Sequence, residues 1–170
     1  MKSSRKAPLA EKWVINASPV IALSRVGQVE LLGRLPERVV IPQAVARELR
    51  NAPEDDPARR MVESDQFKIV RASPPPEILA WDLGNGETGV LSYALAHPGW
   101  VAILDDGAAR RCARSLSLAY MGTLSVVILA RQQGLIESAA KVLHDLRANG
   151  FHLDDAIIRE ALRRTVKETW

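Results

Sequence analysis

The stretch V-A-I-L-D-D-G-A-A-R-R-C-A, residues 101–113, decides the fold class of this 170-residue chain. Its first four residues form a short apolar run, typical of a β-strand that helices cover on both faces. Asp105 and Asp106 follow directly, and a helical pattern over 108–117 begins at once. A strand that leads straight into a helix is half of a βαβ unit, so the stretch predicts an α/β fold with parallel strands.

The same strand-then-helix pattern recurs along the chain. Strands are predicted at 13–16, 38–41, 67–70, 101–104 and, more weakly, 119–121. Helices are predicted at 19–26, 29–35, 43–50, 59–65, 87–97, 108–117, 124–133, 139–149 and 155–167. The first helix has Ser18 as its expected N-cap and Pro19 at its first position. Together these elements predict an open, mostly parallel sheet flanked by helices.

Two segments need separate comment. The last two helices have no strand between them, so we expect a C-terminal helical pair, packed antiparallel, with Phe151 and Leu153 anchoring the bend. The segment 72–77 contains three consecutive prolines and is predicted to be a stiff connector. Neither side of it has enough strands to fold alone. We therefore expect a single domain over 13–170.

Length, composition and charge exclude several classes of protein. The chain has no uncharged apolar run of 18 residues and no apolar stretch near its start, which predicts a cytoplasmic protein without a membrane span. The single cysteine, Cys112, cannot form an internal disulfide, and three histidines are too few for a Cys/His zinc cluster. Any metal would therefore be held by oxygen atoms.

The net charge of +3 resides entirely in residues 1–12, which carry four basic residues and one acid. We expect this segment to be a basic, disordered arm, for which a solubilising tail is the simplest interpretation. A second basic stretch, 107–134, contains no acid and four arginines: Arg110, Arg111, Arg114 and Arg131. The first three lie on one predicted helix, where they form either a solvated face or a surface that attracts an anionic partner.

Polar side chains follow the predicted strands at the edge where ligands bind in open parallel sheets. Asn16 ends the first strand, Asp105 and Asp106 follow the fourth, and Thr123 follows the fifth. Glu87 begins a helix after the glycine turn G-N-G, residues 84–86. Carboxylates that converge at one edge repel one another, and a divalent cation relieves that repulsion. Oxygen ligands of this kind favour Mg²⁺ or Mn²⁺.

Each of these residues also has a purely structural explanation. Glu87 could complement the dipole of its helix, and Asp106 could cap the helix over 108–117. Glu48, near the end of the helix over 43–50, could pair with a neighbouring arginine, and Asn16 could be a turn residue. The convergence of several oxygen-bearing side chains on one edge favours the functional interpretation.

In this order and spacing, a set of short motifs resembles the PIN-like nuclease superfamily. The resemblance extends over 13–168 and is greatest in the branch of small prokaryotic proteins related to the toxins of toxin–antitoxin pairs. The motifs are V-I-N-A-S-P-V-I-A-L at 14–23, V-V-I-P-Q-A-V-A-R-E-L at 39–49, G-E-T-G-V at 86–90, I-L-D-D-G-A-A-R-R-C-A at 103–113, G-T-L at 122–124 and G-F-H-L-D-D-A-I-I at 150–158.

The resemblance implies a metal-dependent ribonuclease with Mg²⁺ or Mn²⁺ as cofactor. It also implies single-stranded or structured RNA as substrate, with a small antitoxin protein and a second copy of the chain as partners. The family's metal positions fall on Asn16, Glu48, Glu87, Asp105 and Asp106. Ser18 and Thr123 match supporting polar positions, and Arg110, Arg111 and Arg114 could attract the RNA backbone.

In the mechanism that this implies, Glu87, Asp105 and Asp106 hold the metal, directly or through water, while Glu48 orients an outer water or a second ion. Thr123 hydrogen-bonds a phosphate oxygen or the attacking water. The first metal position is usually aspartate in the family, whereas this chain has Asn16. An amide oxygen brings no negative charge and cannot act as a base. A catalytically impaired module that binds RNA or protein is therefore the alternative function.

A third interpretation, a receiver-like phosphotransfer domain, is disfavoured. Such domains place their acidic pair after the first strand and a lysine after the last strand. Here the pair follows the fourth strand, and no lysine lies between Lys68 and Lys141.

Overall fold

Five parallel strands form one sheet in the order β3-β2-β1-β4-β5. They are seen in a computed structural model that describes residues 9–170. The strands are β1 (Leu9–Ile15), β2 (Pro36–Pro42), β3 (Lys68–Val70), β4 (Trp100–Ile103) and β5 (Tyr120–Met121). The predicted α/β class and the parallel sheet are confirmed.

Helices connect the strands and continue beyond the last one. They are α1 (Ala17–Arg25), α2 (Leu31–Arg34), α3 (Gln43–Arg50), α4 (Pro57–Glu63), α5 (Pro76–Leu79), α6 (Asn85–Ala96), α7 (Gly107–Ser115), α8 (Thr123–Gln132), α9 (Ala139–Ala148) and α10 (Asp155–Thr165). Within residues 9–170 the structure has no helix of the length and apolarity that crossing a membrane requires.

The central strand β1 fixes the position of the functional edge. Its residues Trp13, Val14 and Ile15 are fully buried, which explains the uninterrupted apolar run that predicted it. The chain passes from β1 to β2 and β3 on one side, then crosses to β4 and β5 on the other. Ile15 is in register with Ile103, so β1 and β4 end at the same level. The crevice between their carboxyl ends is the switch point at which open α/β sheets bind ligands.

Three predicted features differ in the structure. The expected N-cap at Ser18 is wrong, because Asn16 has the extended backbone of the cap position and α1 begins at Ala17. The proline-rich connector runs into a short helix, α5, whose first residue is Pro76; proline is tolerated there because the first N–H of a helix has no partner. Strand β1 begins at Leu9, within the expected arm, of which residues 1–8 lie outside the described part of the chain.

The C-terminal helices are joined to the rest of the fold through α8, which contacts α9 and α10 on one side and α1 and α2 on the other. Arg147 of α9 forms an ion pair with Asp155 of α10 at 2.5 Å. Phe151 and Leu153, between the two helices, are partly buried against the core, as expected.

The residues after α10 return to the start of α9. There the Glu168 carboxylate accepts hydrogen bonds from the backbone N–H groups of Ala139 and Ala140 at 3.1 and 2.8 Å. Ser138 Oγ and Arg131 Nε also donate to it, each at 2.9 Å. Although partial burial acts to raise the pKa of Glu168, these donors outweigh it and the pKa is lowered.

Replacing Glu168 by glutamine should therefore destabilise the fold in a pH-dependent way. A carboxyl pKa below its unfolded value contributes stability above that value and loses it as the pH falls through the folded pKa. We expect Glu168→Gln to lower the free energy of unfolding by about 1–2 kcal/mol at pH 7. The difference should shrink below about pH 4.5.

Urea unfolding at several pH values measures this difference. The matched control is Glu137→Gln, a change of the same kind at an exposed residue nearby. A Glu168→Gln deficit that is the same at pH 3.5 and pH 7 would contradict a role for the charge.

Candidate active site

Asn16 lies at the carboxyl end of β1 and is almost completely buried, with 2% of its surface exposed. Its backbone N–H donates to the carbonyl of Ile103 at 2.9 Å, which ties it to the end of β4. Its side-chain Nδ2 donates to Oε1 of Glu87 at 3.0 Å. Asn16, at the switch point of the sheet, thus binds the carboxylate of Glu87 in α6 by a direct hydrogen bond.

Glu87 stands in the first turn of α6, where the partial positive charge of the helix N-terminus favours a carboxylate. Its Oε2 folds back over Gly84, the N-cap residue. A methyl group built on Gly84 would lie 2.5 Å from that oxygen. Because Gly84 has no side chain, the Glu87 carboxylate has room to lie over it.

Glu48, in the last turn of α3, faces Glu87 across the crevice. Partial burial and the negative charge of Glu87 both raise the pKa of Glu48, burial being the larger cause. An ion pair with a neighbouring arginine is the structural explanation of Glu48 that the sequence offers. None of the ion pairs found among residues 9–170 includes Glu48. Two carboxylates therefore face each other without a basic partner.

The space over Gly86 separates Asn16 from Glu48. A methyl group on Gly86 would lie 2.7 Å from Asn16 Oδ1 and 3.2 Å from Glu48 Oε2. Asn16 Oδ1 is itself buried and has no hydrogen-bond partner. A buried carbonyl oxygen without a donor costs about 1–3 kcal/mol, so this atom marks a place where a donor or a cation would be stabilised.

Asp105, after β4, forms a second cluster with hydroxyl groups. Its Oδ1 accepts from the backbone N–H of Thr123 at 2.8 Å. Its Oδ2 accepts from Thr123 Oγ1 at 2.7 Å and from Ser18 Oγ at 3.2 Å. Thr123 is fully buried. Asp105 thus joins the ends of three strands, since Ser18 follows β1 and Thr123 follows β5.

Asp106 does not join either cluster. Its Oδ2 accepts from the backbone N–H of Ala109 at 2.8 Å and caps α7. This is the structural role that the sequence left open, and it directs the Asp106 side chain toward its own helix.

The three arginines of α7 have different surroundings. The Arg110 guanidinium lies 5.4 Å from the centre of the Tyr120 ring, and Arg114 donates to the Tyr120 hydroxyl at 3.1 Å. Arg111 is exposed. A methyl group on Gly122 would lie 2.8 Å from Asp105 Oδ1 and 3.8 Å from an Arg110 nitrogen. Among the arginines of α7, Arg110 therefore lies nearest Asp105.

Two hollows meet at the pair of glutamates. The small cavity, of about 250 Å³, is lined by Asn16, Ser18 and Arg25 and by the segment 149–151 after α9. The large groove, of about 930 Å³, runs between α3 and α6 and is lined by Arg47, Asn51 and Asn85 among others. Glu48 and Glu87 line both. Neither Asp105 nor Asp106 lines either hollow.

The donor set at this junction fits a hard divalent cation in kind but is sparse. Glu48, Glu87 and the orphaned Oδ1 of Asn16 are all oxygen donors, as Mg²⁺ and Mn²⁺ prefer. In the described part of the chain, no three His, Cys, Asp or Glu side chains are grouped closely enough to hold a metal ion. This edge of the sheet therefore offers two carboxylates and one amide oxygen.

Sequence reasoning missed several residues of this site. Gly86 is within a quoted motif, but its close approach to Asn16 depends on the packing of α6 against β1. Arg25 and Phe151 line the small cavity although they lie far along the chain from the acids. Tyr120 contacts two of the predicted arginines. Only the glycine turn G-N-G at 84–86 gave an advance signal of close packing.

A methyl group at Gly86 tests the close approach to Asn16. Alanine is favoured over glycine in a helix by up to about 1 kcal/mol, yet the added carbon would collide with a buried amide. We expect Gly86→Ala to lower the free energy of unfolding by about 1–2 kcal/mol in urea titrations.

The control is Gly33→Ala in α2, where the methyl group would lie 4.0 Å from a carbon of Phe67, an ordinary contact. We expect that variant to be neutral or slightly stabilised. If Gly86→Ala were as stable as Gly33→Ala, the close packing at Asn16 would be refuted.

Comparison with known proteins identifies the family of this chain. A family model described as a PIN domain matches residues 12–167. No curated protein matches the chain. Among solved structures, the crystal structure of PAE2754 from Pyrobaculum aerophilum is similar, with a TM-score of 0.48 and 19% sequence identity over 74% of this chain and 94% of that one. Because the family match extends over nearly the whole chain, this protein belongs to the PIN domain family.

Proposed function

We propose that this protein is a divalent-cation-dependent ribonuclease of the PIN type that acts in the cytoplasm. The observation that carries the proposal is the junction of the two hollows. There Glu48 and Glu87 face each other without a basic partner, beside a buried amide oxygen that has no donor. A cation would relieve the repulsion of the carboxylates and would give the Asn16 oxygen its missing partner.

The proposed roles divide the site into two parts. Glu48, Glu87 and Asn16 would hold Mg²⁺ or Mn²⁺, which when bound supplies polarisation of the scissile phosphate and activation of water. Asp105 acts as a positioning residue, because both of its oxygens are occupied by Ser18 and Thr123. Asp106 holds α7, whose Arg110 attracts the phosphate backbone.

Cleavage of single-stranded RNA tests the proposal. We expect the wild-type protein to cut RNA with Mn²⁺ or Mg²⁺ and to be inactive in chelator. Glu87→Gln keeps the size of the side chain and removes its charge, so activity should fall at least about a hundredfold. The loss of activity should be larger than any loss of folded protein at the assay temperature can explain.

The matched control is Glu77→Gln, the same substitution at an exposed acid of α5. Its activity should equal that of the wild type. Cleavage that persists in chelator, or that is equal in Glu87→Gln and wild type, would sink the nuclease assignment.

One observation favours the second candidate function, a PIN-fold module that binds RNA or protein without cutting. The Asn16 amide donates to Glu87 and so stabilises that carboxylate in the absence of a cation, which aspartate could not do. Asn16 also adds no negative charge for a cation. RNA binding without cleavage at any concentration of Mn²⁺ would favour this alternative.

Replacing Asn16 by aspartate should lower the stability of the cation-free protein and raise its affinity for a cation. In chelator, Asn16→Asp places a buried carboxylate against Glu87, and we expect the free energy of unfolding to drop by about 1–3 kcal/mol. With excess Mn²⁺ the variant should regain this deficit, because each tenfold gain in affinity adds about 1.4 kcal/mol of stabilisation.

Thermal denaturation in chelator and in Mn²⁺, with calorimetric titration of the metal, measures both effects. Gln66→Glu adds the same charge at an exposed residue before β3 and serves as the control. Equal Mn²⁺ affinity in Asn16→Asp and wild type would show that Asn16 does not face the cation.

The role of a toxin in a toxin–antitoxin pair is a further part of the proposal and rests on the family resemblance. A small open reading frame beside the gene, whose product binds this protein and blocks its RNA cleavage, would support it. The homodimer implied by the resemblance stays a prediction.

A further inference from the structure

We infer that the small cavity is a subsite for one unpaired nucleotide of an RNA substrate, with Phe151 as the platform on which its base stacks. This inference rests on the proposed action on RNA and adds to it a binding position for one base. It also assigns a binding role to Phe151 and Arg25, which lie outside the acidic edge.

The end of α9 builds one wall of the small cavity. Gly150 follows the C-cap residue Asn149 and has φ of +89°, a left-handed conformation that glycine adopts without strain. Its N–H donates to the carbonyl of Arg147 at 3.0 Å, and the N–H of Phe151 donates to the carbonyl of Leu146 at 3.0 Å. This is the Schellman arrangement, which brings Phe151 and Leu146 together. Both line the small cavity, so the aromatic ring is held there by the backbone of the helix end.

The opposite wall comes from α1. Ile21 and Ala22 add apolar surface, and Arg25, at the exposed end of the helix, adds a positive charge. No ion pair or hydrogen bond found in the described part of the chain occupies Arg25. Asn16 lies between the two walls. The small cavity thus combines an apolar slot with a positive charge that has no partner among the described residues.

These features match one nucleotide better than a larger ligand. The volume of about 250 Å³ is below the roughly 300–1,000 Å³ of pockets for drug-sized molecules. A base can stack on Phe151, while its phosphate lies near Arg25. A base that remains paired in a duplex cannot enter such a slot.

The position of the small cavity also agrees with a strand that crosses the acids. Glu48 and Glu87 form its boundary with the large groove, which carries Arg47. A single strand that places one base in the small cavity and continues into the large groove would bring a phosphate to the two glutamates. The inferred subsite therefore fixes the register of the strand at the acidic pair.

Nucleotide binding in chelator tests the subsite without reference to cleavage. The probes are adenosine and uridine 5′-monophosphates, with ribose 5-phosphate as the matched probe without a base. We expect the nucleotides to shift the amide NMR signals of Gly150 and Phe151 and ribose 5-phosphate to leave them unchanged.

The affinity of a short single-stranded RNA should fall about tenfold in Phe151→Leu, which keeps the apolar contact with Leu146 but removes the ring. His152→Ala, at the exposed neighbouring residue, is the control.

The charge of Arg25 is tested by the salt dependence of RNA binding. Arg25→Gln should reduce the slope of log affinity against log salt by about one, whereas Arg34→Gln, at the exposed end of α2, should leave it unchanged. Equal RNA affinity in Phe151→Leu and wild type, equal affinity for duplex and single strand, or equal shifts with ribose 5-phosphate would each overturn the subsite. RNA binding that requires Phe151 in a protein that never cleaves would keep the subsite and would reject only the nuclease.

Discussion

The hydrogen bond from the Asn16 amide to the Glu87 carboxylate joins β1 to α6 at the proposed site. Asn16 is fixed by the most buried strand of the sheet, and Glu87 by the first turn of α6. Gly86 leaves room for the two elements to approach, and Gly84 leaves room for the Glu87 carboxylate, as the contacts of a methyl group at each glycine show. The acids therefore owe their positions to strand burial and helix packing.

The same bond sets the chemical character of the site. An aspartate in place of Asn16 would leave three carboxylates to be neutralised by a metal. The amide instead stabilises Glu87 and turns its oxygen toward Gly86, where it lacks a donor. Partial burial, and to a smaller extent the negative charge of Glu87, raise the pKa of Glu48. We expect a site that tolerates the absence of a cation and binds one more weakly than an all-acid site would.

Much of this could be predicted from the sequence, because apolar runs, turn residues and acids after strands follow local rules. The parallel sheet, the level of Asn16 with Asp105, and the position of Glu87 in a first turn all follow from such rules. Which role each aspartate takes could not be decided from the sequence, since it depends on side-chain direction: Asp106 turns to its own helix and Asp105 to Thr123. The place of Phe151 in the small cavity could not be predicted either, because the end of α9, more than sixty residues after Glu87, brings it there.

The most direct test of the account is the place at which a cation binds. Crystals soaked in Mn²⁺ and measured near the manganese absorption edge would show the ion by its anomalous scattering. The account predicts a peak bounded by Asn16, Glu48 and Glu87, on the wall between the small cavity and the large groove. A peak against Asp105 and Asp106, away from Asn16, would contradict it.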